Sequence, residues 1–169
     1  MWRIRNLIAA ASLCVIGFAQ AAQADDLASV QTFYDLLSNP GSEVHVTAFR
    51  DVTSDAWESV GDYSGKNKPR AAFLGQMGHF AKLIPDLDWA VQAMHQDGAF
   101  VIVRSRATGT PTGPLFGVDG QGRSFDIMTI DIHEVQDDKI IRTYHIEDWA
   151  SALRQLAGNK IDIAIETHK

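Results

Sequence analysis

One segment near the end of the sequence concentrates side chains that can transfer protons. Four ionisable groups lie within five residues there: Tyr144, His145, Glu147 and Asp148. A second carboxylate and imidazole, Asp131 and His133, stand two residues apart in the preceding apolar stretch. A carboxylate near an imidazole can remove a proton from a substrate and return it later in the reaction. The pattern predicts acid/base chemistry at a closed pocket.

Local structure limits which of these groups can take part in chemistry. Asp148 stands directly before a predicted helix, where aspartate commonly caps the first turn. On an ideal strand His145 and Glu147 point to one face, while Tyr144, Ile146 and Asp148 point to the other. All of them share one pocket only if a bulge intervenes, so either His145 or Asp148 is expected to lie outside it.

The strand that carries Asp131 and His133 has two unlike faces. The mixed face combines these two residues with Phe125, Ile127 and Thr129. The opposite face is wholly apolar and consists of Met128, Ile130 and Ile132. Either the mixed face lines a pocket, or helices cover the apolar face and leave the carboxylate and imidazole in solvent. The sequence alone leaves both arrangements open.

The first 24 residues have the layout of a secretory signal peptide. Arg3 and Arg5 precede an apolar run over residues 7–19, and Ala22-Gln23-Ala24 provides a cleavage site. The apolar run is shorter than the roughly 20 residues that span a bilayer. We therefore expect export to the periplasm or outside the cell, with no stable membrane insertion after cleavage.

Cleavage after Ala24 would leave one domain over residues 25–158 and a segment, 159–169, that forms a tail or a short strand. The single cysteine, Cys14, would be removed, which excludes a disulfide, a thiolate nucleophile and a zinc–thiolate site. The formal net charge of −6 and the absence of a Lys/Arg cluster argue against nucleic acid as a partner. No phosphate loop, dinucleotide turn or helical histidine pair is present, so neither a cofactor nor a metal is expected.

Hydrophobic periodicity predicts an α+β fold. Helical spacing appears over residues 27–37 and 69–84, and residues 43–62 between them are expected to form short helical turns and an edge strand. A period of two follows in four stretches: 87–93, 99–108, 124–135 and 139–147. A last helix is predicted over 148–156. Helices on one face of a curved antiparallel sheet would form a cone-shaped barrel around a pocket.

Several stretches across residues 27–158 share a pattern with one known family. They are Val30–Tyr34, Pro85–Trp89, Val103–Gly117, Asp126–His133 and Tyr144–Asp148. Together they resemble the SnoaL-like polyketide cyclases, or ester cyclases, of the nuclear-transport-factor-2-like superfamily. The resemblance implies a cystatin-like cone and a cofactor-free enzyme that closes a ring in a polyketide ester by intramolecular aldol chemistry.

The resemblance also implies roles for individual residues. It maps the acid/base carboxylate onto Asp148, with His145 or His133 donating to the enolate oxygen or orienting the carboxylate. Four residues are expected to bind substrate or line its pocket: Arg104, Asp131, Tyr34 and Trp57. The expected partners are a small carbonyl or aromatic molecule and a second copy of the chain in a homodimer.

Two departures from the family pattern limit what can be transferred. Pro111 stands where relatives often have a histidine, and Asp138 replaces a glycine before Lys139-Ile140. Export also separates the chain from a cytoplasmic source of polyketides, so the substrate is not carried over. Three functions remain open: a proton-transfer enzyme, an exported carrier that binds an apolar ligand without turnover, and a dimerisation or scaffolding module.

Overall fold

The computed structural model describes residues 25–158; the predicted signal peptide and the C-terminal residues 159–169 lie outside the described part. The helices are α1 (25–38), α2 (Glu43–Val52), α3 (Arg70–Leu83) and α4 (Trp149–Leu156). The strands are β1 (Thr53–Val60), β2 (Lys68–Pro69), β3 (Asp88–Asp97), β4 (Phe100–Gly109), β5 (Phe125–Gln136) and β6 (Lys139–Glu147). No helix among residues 25–158 is long and apolar enough to cross a membrane.

The strands form one curved, unclosed sheet in the order β2-β1-β6-β5-β4-β3. Strands β3 to β6 are an antiparallel meander, which confirms the four predicted strands and the α+β class. The edges of the sheet are β2 and β3, and β1 lies inside it, parallel to β6. A parallel pair joins residues that are far apart in sequence, here Ser59 and Thr143.

The prediction for residues 43–62 was wrong in two respects. The first half is a full ten-residue helix, α2, and the second half is an interior strand, β1. The helix passes into the strand at Thr53, whose hydroxyl donates to the carbonyl of Phe49 at 2.7 Å. Phe49 and Trp57 are both buried on the helix-covered side, and this burial holds the two elements against the core.

The mixed face of β5 is the buried face. Helix α1 places the ring of Phe33 4.8 Å from that of His133 and the hydroxyl of Tyr34 against Asp131. The apolar face is exposed, with Met128 at 56% and Ile146 of β6 at 73% of their full accessible area. Strand β5 therefore buries Thr129, Asp131 and His133 together with apolar side chains such as Ile127, and leaves its other aliphatic side chains outside. Burial of the polar groups is tolerated because they are hydrogen-bonded to one another.

Two aromatic clusters fill the space between the helices and the sheet. One contains Phe33, Phe49, Trp57 and Phe73, with ring centroids 5.0–6.1 Å apart. The other surrounds Trp149, at the start of α4, and contains Phe80, Trp89, Phe116 and Phe125. Such packing buries large apolar area and fixes ring orientation. A cavity lies between the clusters and takes wall residues from both.

Candidate functional site

A continuous hydrogen-bond chain runs through the core from β1 to β5. The indole Nε1 of Trp57 donates to Thr143 Oγ1 at 3.1 Å, and Thr143 Oγ1 lies 3.0 Å from His133 Nδ1. His133 Nε2 lies 3.0 Å from the hydroxyl of Tyr34, which donates to Asp131 Oδ2 at 2.7 Å. All five residues are buried, so every bond in the chain is shielded from water.

The two ends of the chain set the direction of its hydrogen bonds. An indole nitrogen can only donate, so the hydroxyl hydrogen of Thr143 is free to point to His133 Nδ1. His133 then carries its hydrogen on Nε2 and donates to Tyr34, whose own hydrogen goes to Asp131. The hydroxyl of Tyr34 has one hydrogen, which goes to Asp131, so the neutral ring of His133 must be the donor at Nε2. The carboxylate of Asp131 is the accepting end of the chain.

Burial shifts the titration of the groups in this chain. It raises the pKa of Asp131 to about 7, against the opposing effect of the hydrogen bond from Tyr34. Burial also lowers the pKa of His133 to about 3, which keeps that ring neutral as the chain requires. Burial and the neighbouring Asp131 raise the pKa of Tyr34 above its usual value. Asp131 is thus the group of the chain that changes charge near neutral pH.

His145 faces Asp131 from the neighbouring strand, as its direct partner in the β5–β6 pairing. Its Nε2 lies 2.8 Å from Ser59 Oγ, and its Nδ1 lies 2.8 Å from Glu147 Oε1. Burial alone would lower the pKa of His145, but the hydrogen bond and charge of Glu147, with the charge of Asp131, raise it above the usual histidine value. The imidazole is therefore held by a partner at each nitrogen.

Asp131 and His145 open onto a cavity of about 80 Å³ between the helices and the sheet. Its polar lining consists of Ser59, Lys68, Gln76, Asp131, Thr143, His145 and Glu147. Its apolar lining consists of Phe33, Leu37, Phe73, Met77, Phe80, Trp89 and Trp149. A small number of convergent polar groups in an apolar enclosure is typical of a ligand or active site.

The structure brings most of the predicted site residues together. Asp131 and His145 line the cavity, while Tyr34, His133 and Trp57 form the hydrogen-bond chain behind its wall. These three are positioned to act on a substrate through Asp131 and not by touching it.

Asp148 and Arg104 lie elsewhere. The carboxylate of Asp148 is exposed and caps α4, accepting from the backbone N–H of Ser151 at 2.9 Å and from its hydroxyl at 2.6 Å. These bonds lower the pKa of Asp148. The pairing of β6 with β5 is regular from Thr143 to Glu147, and Asp148 lies with the side chains of the outer face, away from the cavity that His145 faces. Arg104 is exposed on the outer face of β4, opposite Ile130.

Four polar residues of the cavity lining were not singled out in the sequence, namely Ser59, Lys68, Gln76 and Thr143, and Glu147 was noted there only as an ionisable group. Ser59 lies in the stretch that was expected to be an edge strand, and Lys68 and Gln76 belong to β2 and α3. No local motif marks them. Only the parallel pairing of β1 with β6 brings Ser59 beside His145. Among residues 25–158, no group of three or more histidine, cysteine or acidic side chains is arranged to hold a metal ion.

Comparisons with known proteins agree with this architecture. The chain is 23% identical to IdmH of Streptomyces antibioticus, a candidate polyketide cyclase, over 78% of this chain and 97% of that one, with a TM-score of 0.67. It is 17% identical to a candidate SnoaL-like polyketide cyclase from Jannaschia sp. CCS1, over 79% of this chain and 92% of that one, with a TM-score of 0.69. At these identities the likeness establishes a shared fold.

A cystatin-fold protein from Novosphingobium aromaticivorans is similar over 72% of this chain and 97% of that one, at 16% identity and a TM-score of 0.55. No curated protein sequence matches the chain. A model of the SnoaL-like polyketide cyclase family matches residues 28–156, which is most of the sequence. The chain therefore belongs to the SnoaL-like polyketide cyclase family.

Proposed function

We propose that the protein is a cofactor-free enzyme of cyclase type that moves a proton on a small carbonyl compound. Intramolecular aldol closure of a polyketide-like β-keto ester is the reaction that fits the family. The observation that carries the proposal is the carboxyl of Asp131, buried at a cavity wall with a pKa of about 7. A carboxylate with this pKa is matched to general base catalysis near neutral pH.

Asp131 would take the acid/base role that the resemblance implied for Asp148. The carbon between two carbonyls is acidic enough for a carboxylate to remove its proton when the resulting enolate is stabilised. Lys68 and the imidazolium of His145 line the same cavity and would supply positive charge to the enolate oxygen. The enolate carbon would then attack a second carbonyl of the same molecule, and Asp131 would return the proton to the new alkoxide.

The chain behind Asp131 supports this role. Tyr34 donates to Asp131 Oδ2, which holds the carboxyl group in one rotamer and leaves its remaining lone pairs for a substrate proton. The neutral His133 fixes the hydroxyl of Tyr34 in turn. A base whose orientation is set by such partners is better positioned for proton removal.

The test is exchange of the C2 hydrogens of ethyl acetoacetate for deuterium in D₂O, followed by NMR. The proposal expects the protein to accelerate exchange over buffer, and Asp131→Asn to reduce the acceleration by roughly 100-fold, as for loss of a general base. Asp148→Asn, which keeps a good helix cap, should exchange at the wild-type rate. Loss of exchange in Asp148→Asn with retention in Asp131→Asn would reverse the assignment. Binding of the ester without exchange would favour a carrier.

We also propose that the protein is a homodimer that buries the exposed apolar face of the sheet. This open face consists of Phe100, Ile102, Met128, Ile130, Ile132, Tyr144 and Ile146. Contiguous exposed apolar surface of this kind commonly marks an interaction site. Ile130 and Ile146 pair directly across β5 and β6, so the apolar side chains form one continuous surface.

A further inference from the structure

The hydroxyl of Ser59 belongs to a second group of hydrogen-bonded side chains in the cavity, which is separate from the proton transfer assigned to Asp131. Ser59 Oγ lies 2.8 Å from His145 Nε2, and His145 Nδ1 lies 2.8 Å from Glu147 Oε1. Hydroxyl, imidazole and carboxylate thus follow one another through the two ring nitrogens. Ser59 is only 4% exposed, yet it contributes to the cavity wall together with His145 and Glu147.

The sheet fixes this arrangement through the pairing of β1 with β6. Ser59 is the register partner of Thr143, and His145 lies two residues further along β6 on the same face. Glu147 follows on that face after two more residues. Gly61 leaves space for the imidazole, because a Cβ there would stand 3.2 Å from His145 Cε1 and Nε2. The imidazole is therefore held by backbone register as well as by hydrogen bonds.

The geometry meets the requirements for an activated serine nucleophile. A serine hydroxyl is a weak nucleophile until a base within about 2.6–3.2 Å takes its proton, and that base works best when a third group orients it. Both distances at His145 fall in this range. The order of atoms, Oγ to Nε2 and Nδ1 to a carboxylate, is the order by which serine–histidine–acid triads are recognised on unrelated folds.

We propose that Ser59 is a nucleophile and that the protein transfers the acyl group of a small carboxylic ester through an acyl-Ser59 intermediate. Ser59 Oγ bonds to the ester carbonyl carbon as its proton passes to His145 Nε2. The tetrahedral intermediate collapses, the bond to the alcohol oxygen breaks, and the alcohol leaves with the proton from His145. Water then attacks the acyl carbon, gives a proton to His145, and the proton returns to Ser59 Oγ as the carboxylic acid leaves.

The cavity contains donors for the oxyanion that forms in both steps. Lys68 is the register partner of Ser59 in the β1–β2 pairing, its Nζ donates to Gln76 Oε1, and both residues line the cavity. This bond leaves the remaining ammonium hydrogens of Lys68 and the amide hydrogens of Gln76 to stabilise negative charge. The cavity of about 80 Å³ favours a small acyl group. The substrate class is therefore a short-chain ester.

The charged groups that face His145 set the pH range of the reaction. Glu147 and Asp131 favour its protonated form, whereas Lys68 and burial oppose it. His145 accepts the serine proton only when neutral, so acylation should rise as pH increases through its pKa, which lies above the usual histidine value. Replacing Glu147 with Gln removes the hydrogen-bonded charge and should move the midpoint of this rise to lower pH.

The test uses p-nitrophenyl acetate with the full chain, followed by intact-mass measurement and peptide mapping. The proposal expects a burst of p-nitrophenol and one acetyl group on Ser59. Ser59→Ala should reduce the burst to background, while Ser54→Ala, a serine of the same strand outside the cavity lining, should match the wild type. Glu147→Gln should slow acylation about tenfold or more and shift the pH midpoint downwards.

Two further measurements make the outcome decisive. Melting curves of each variant establish that it is folded, and Ser59→Cys provides a variant that keeps a nucleophile at this position if Ser59→Ala does not fold. Acetylation of Ser59→Cys at the substituted position supports the proposal. Acetyl groups found only on lysine or tyrosine side chains, or a burst that persists in Ser59→Ala, would overturn it. Because the readout is a covalent bond at Ser59, its failure leaves the proton-transfer assignment of Asp131 standing.

Discussion

Asp131 and His145 are direct cross-strand partners on β5 and β6, and both side chains face the cavity. The pKa of each group is raised. Burial raises the pKa of Asp131 to about 7, and Glu147 and Asp131 raise that of His145 against the effect of burial. The charge of each group acts on the titration of the other. Their titrations are therefore expected to be coupled, and measured midpoints belong to the pair.

The exchange activity should depend on pH through Asp131. A general base is active only when ionised, so the rate of ethyl acetoacetate exchange should rise with pH and reach half its maximum near pH 7. Exchange rates measured by NMR between about pH 5 and about pH 9 provide the test. A profile that is flat above about pH 5 would show that the active carboxylate has an ordinary pKa.

The free energy of unfolding should also depend on pH through the buried carboxyl group of Asp131. Between its unfolded pKa of 3.8 and its folded pKa of about 7, Asp131 binds a proton in the folded state and not in the unfolded state. Stability contributed by this group is therefore lost as pH rises through this window, by roughly 4 kcal/mol in total. His133 acts in the opposite sense. Its pKa is about 3 in the folded state and 6.5 in the unfolded state, so the unfolded chain binds a proton first and stability is lost as pH falls below 6.5.

The variant Asp131→Asn isolates the first of these contributions. Asparagine resembles the protonated acid but does not titrate, so the variant should gain stability relative to the wild type as pH rises from about 4 to about 8. Urea unfolding of both proteins across this range measures the difference. Parallel stability curves would mean that the carboxyl group is not desolvated in the folded protein.

The hydroxyl of Tyr34 should contribute more to the free energy of unfolding than a surface hydroxyl does. Tyr34→Phe removes the hydroxyl that donates to Asp131 Oδ2 and that lies 3.0 Å from His133 Nε2, so each of these two buried atoms loses a hydrogen-bond partner. We expect a loss of about 1–3 kcal/mol in the free energy of unfolding. The pKa of Asp131 should also rise, because the hydrogen bond from Tyr34 lowers it. Tyr63→Phe, at a fully exposed tyrosine, is the matched control and should change neither quantity.

Asp148 should matter for stability and not for proton transfer. Asp148→Ala removes both bonds to Ser151 at the start of α4 and should cost about 1 kcal/mol, whereas Asp148→Asn retains most of the capping. Thermal unfolding of the two variants distinguishes these effects. A variant that keeps wild-type stability but loses exchange would return the catalytic role to Asp148.

The open face of the sheet should control association. Ile146, with 73% of its area exposed, is the most exposed side chain of this face, and Ile146→Asp would place a charge in any interface formed there. We expect the wild type to be a dimer and the variant a monomer with an unchanged circular dichroism spectrum. Light scattering after size-exclusion chromatography measures both masses. Lys66→Asp, at an exposed residue outside the open face, serves as the charge control.

The local elements of this protein were predictable from its sequence. The alternation from Phe125 to Val135 shows which residues share a face of β5, and the position of Asp148 before an amphipathic segment indicates a helix cap. These features depend on backbone geometry and on side chains within a few residues, so they can be read along the chain. The prediction failed at residues 43–62, where no regular period is visible and burial of Phe49 and Trp57 decides the structure.

The tertiary structure decided which face of the sheet is inside and which groups meet there. The sequence left open whether Asp131 faces a pocket or solvent, because the answer depends on helices that are distant along the chain, such as α1 with Tyr34. The encounter of Ser59 with His145 likewise requires β1 to pair with β6 across more than 80 residues. The raised pKa of Asp131 has the same origin, since desolvation exists only once the helices have closed over the sheet.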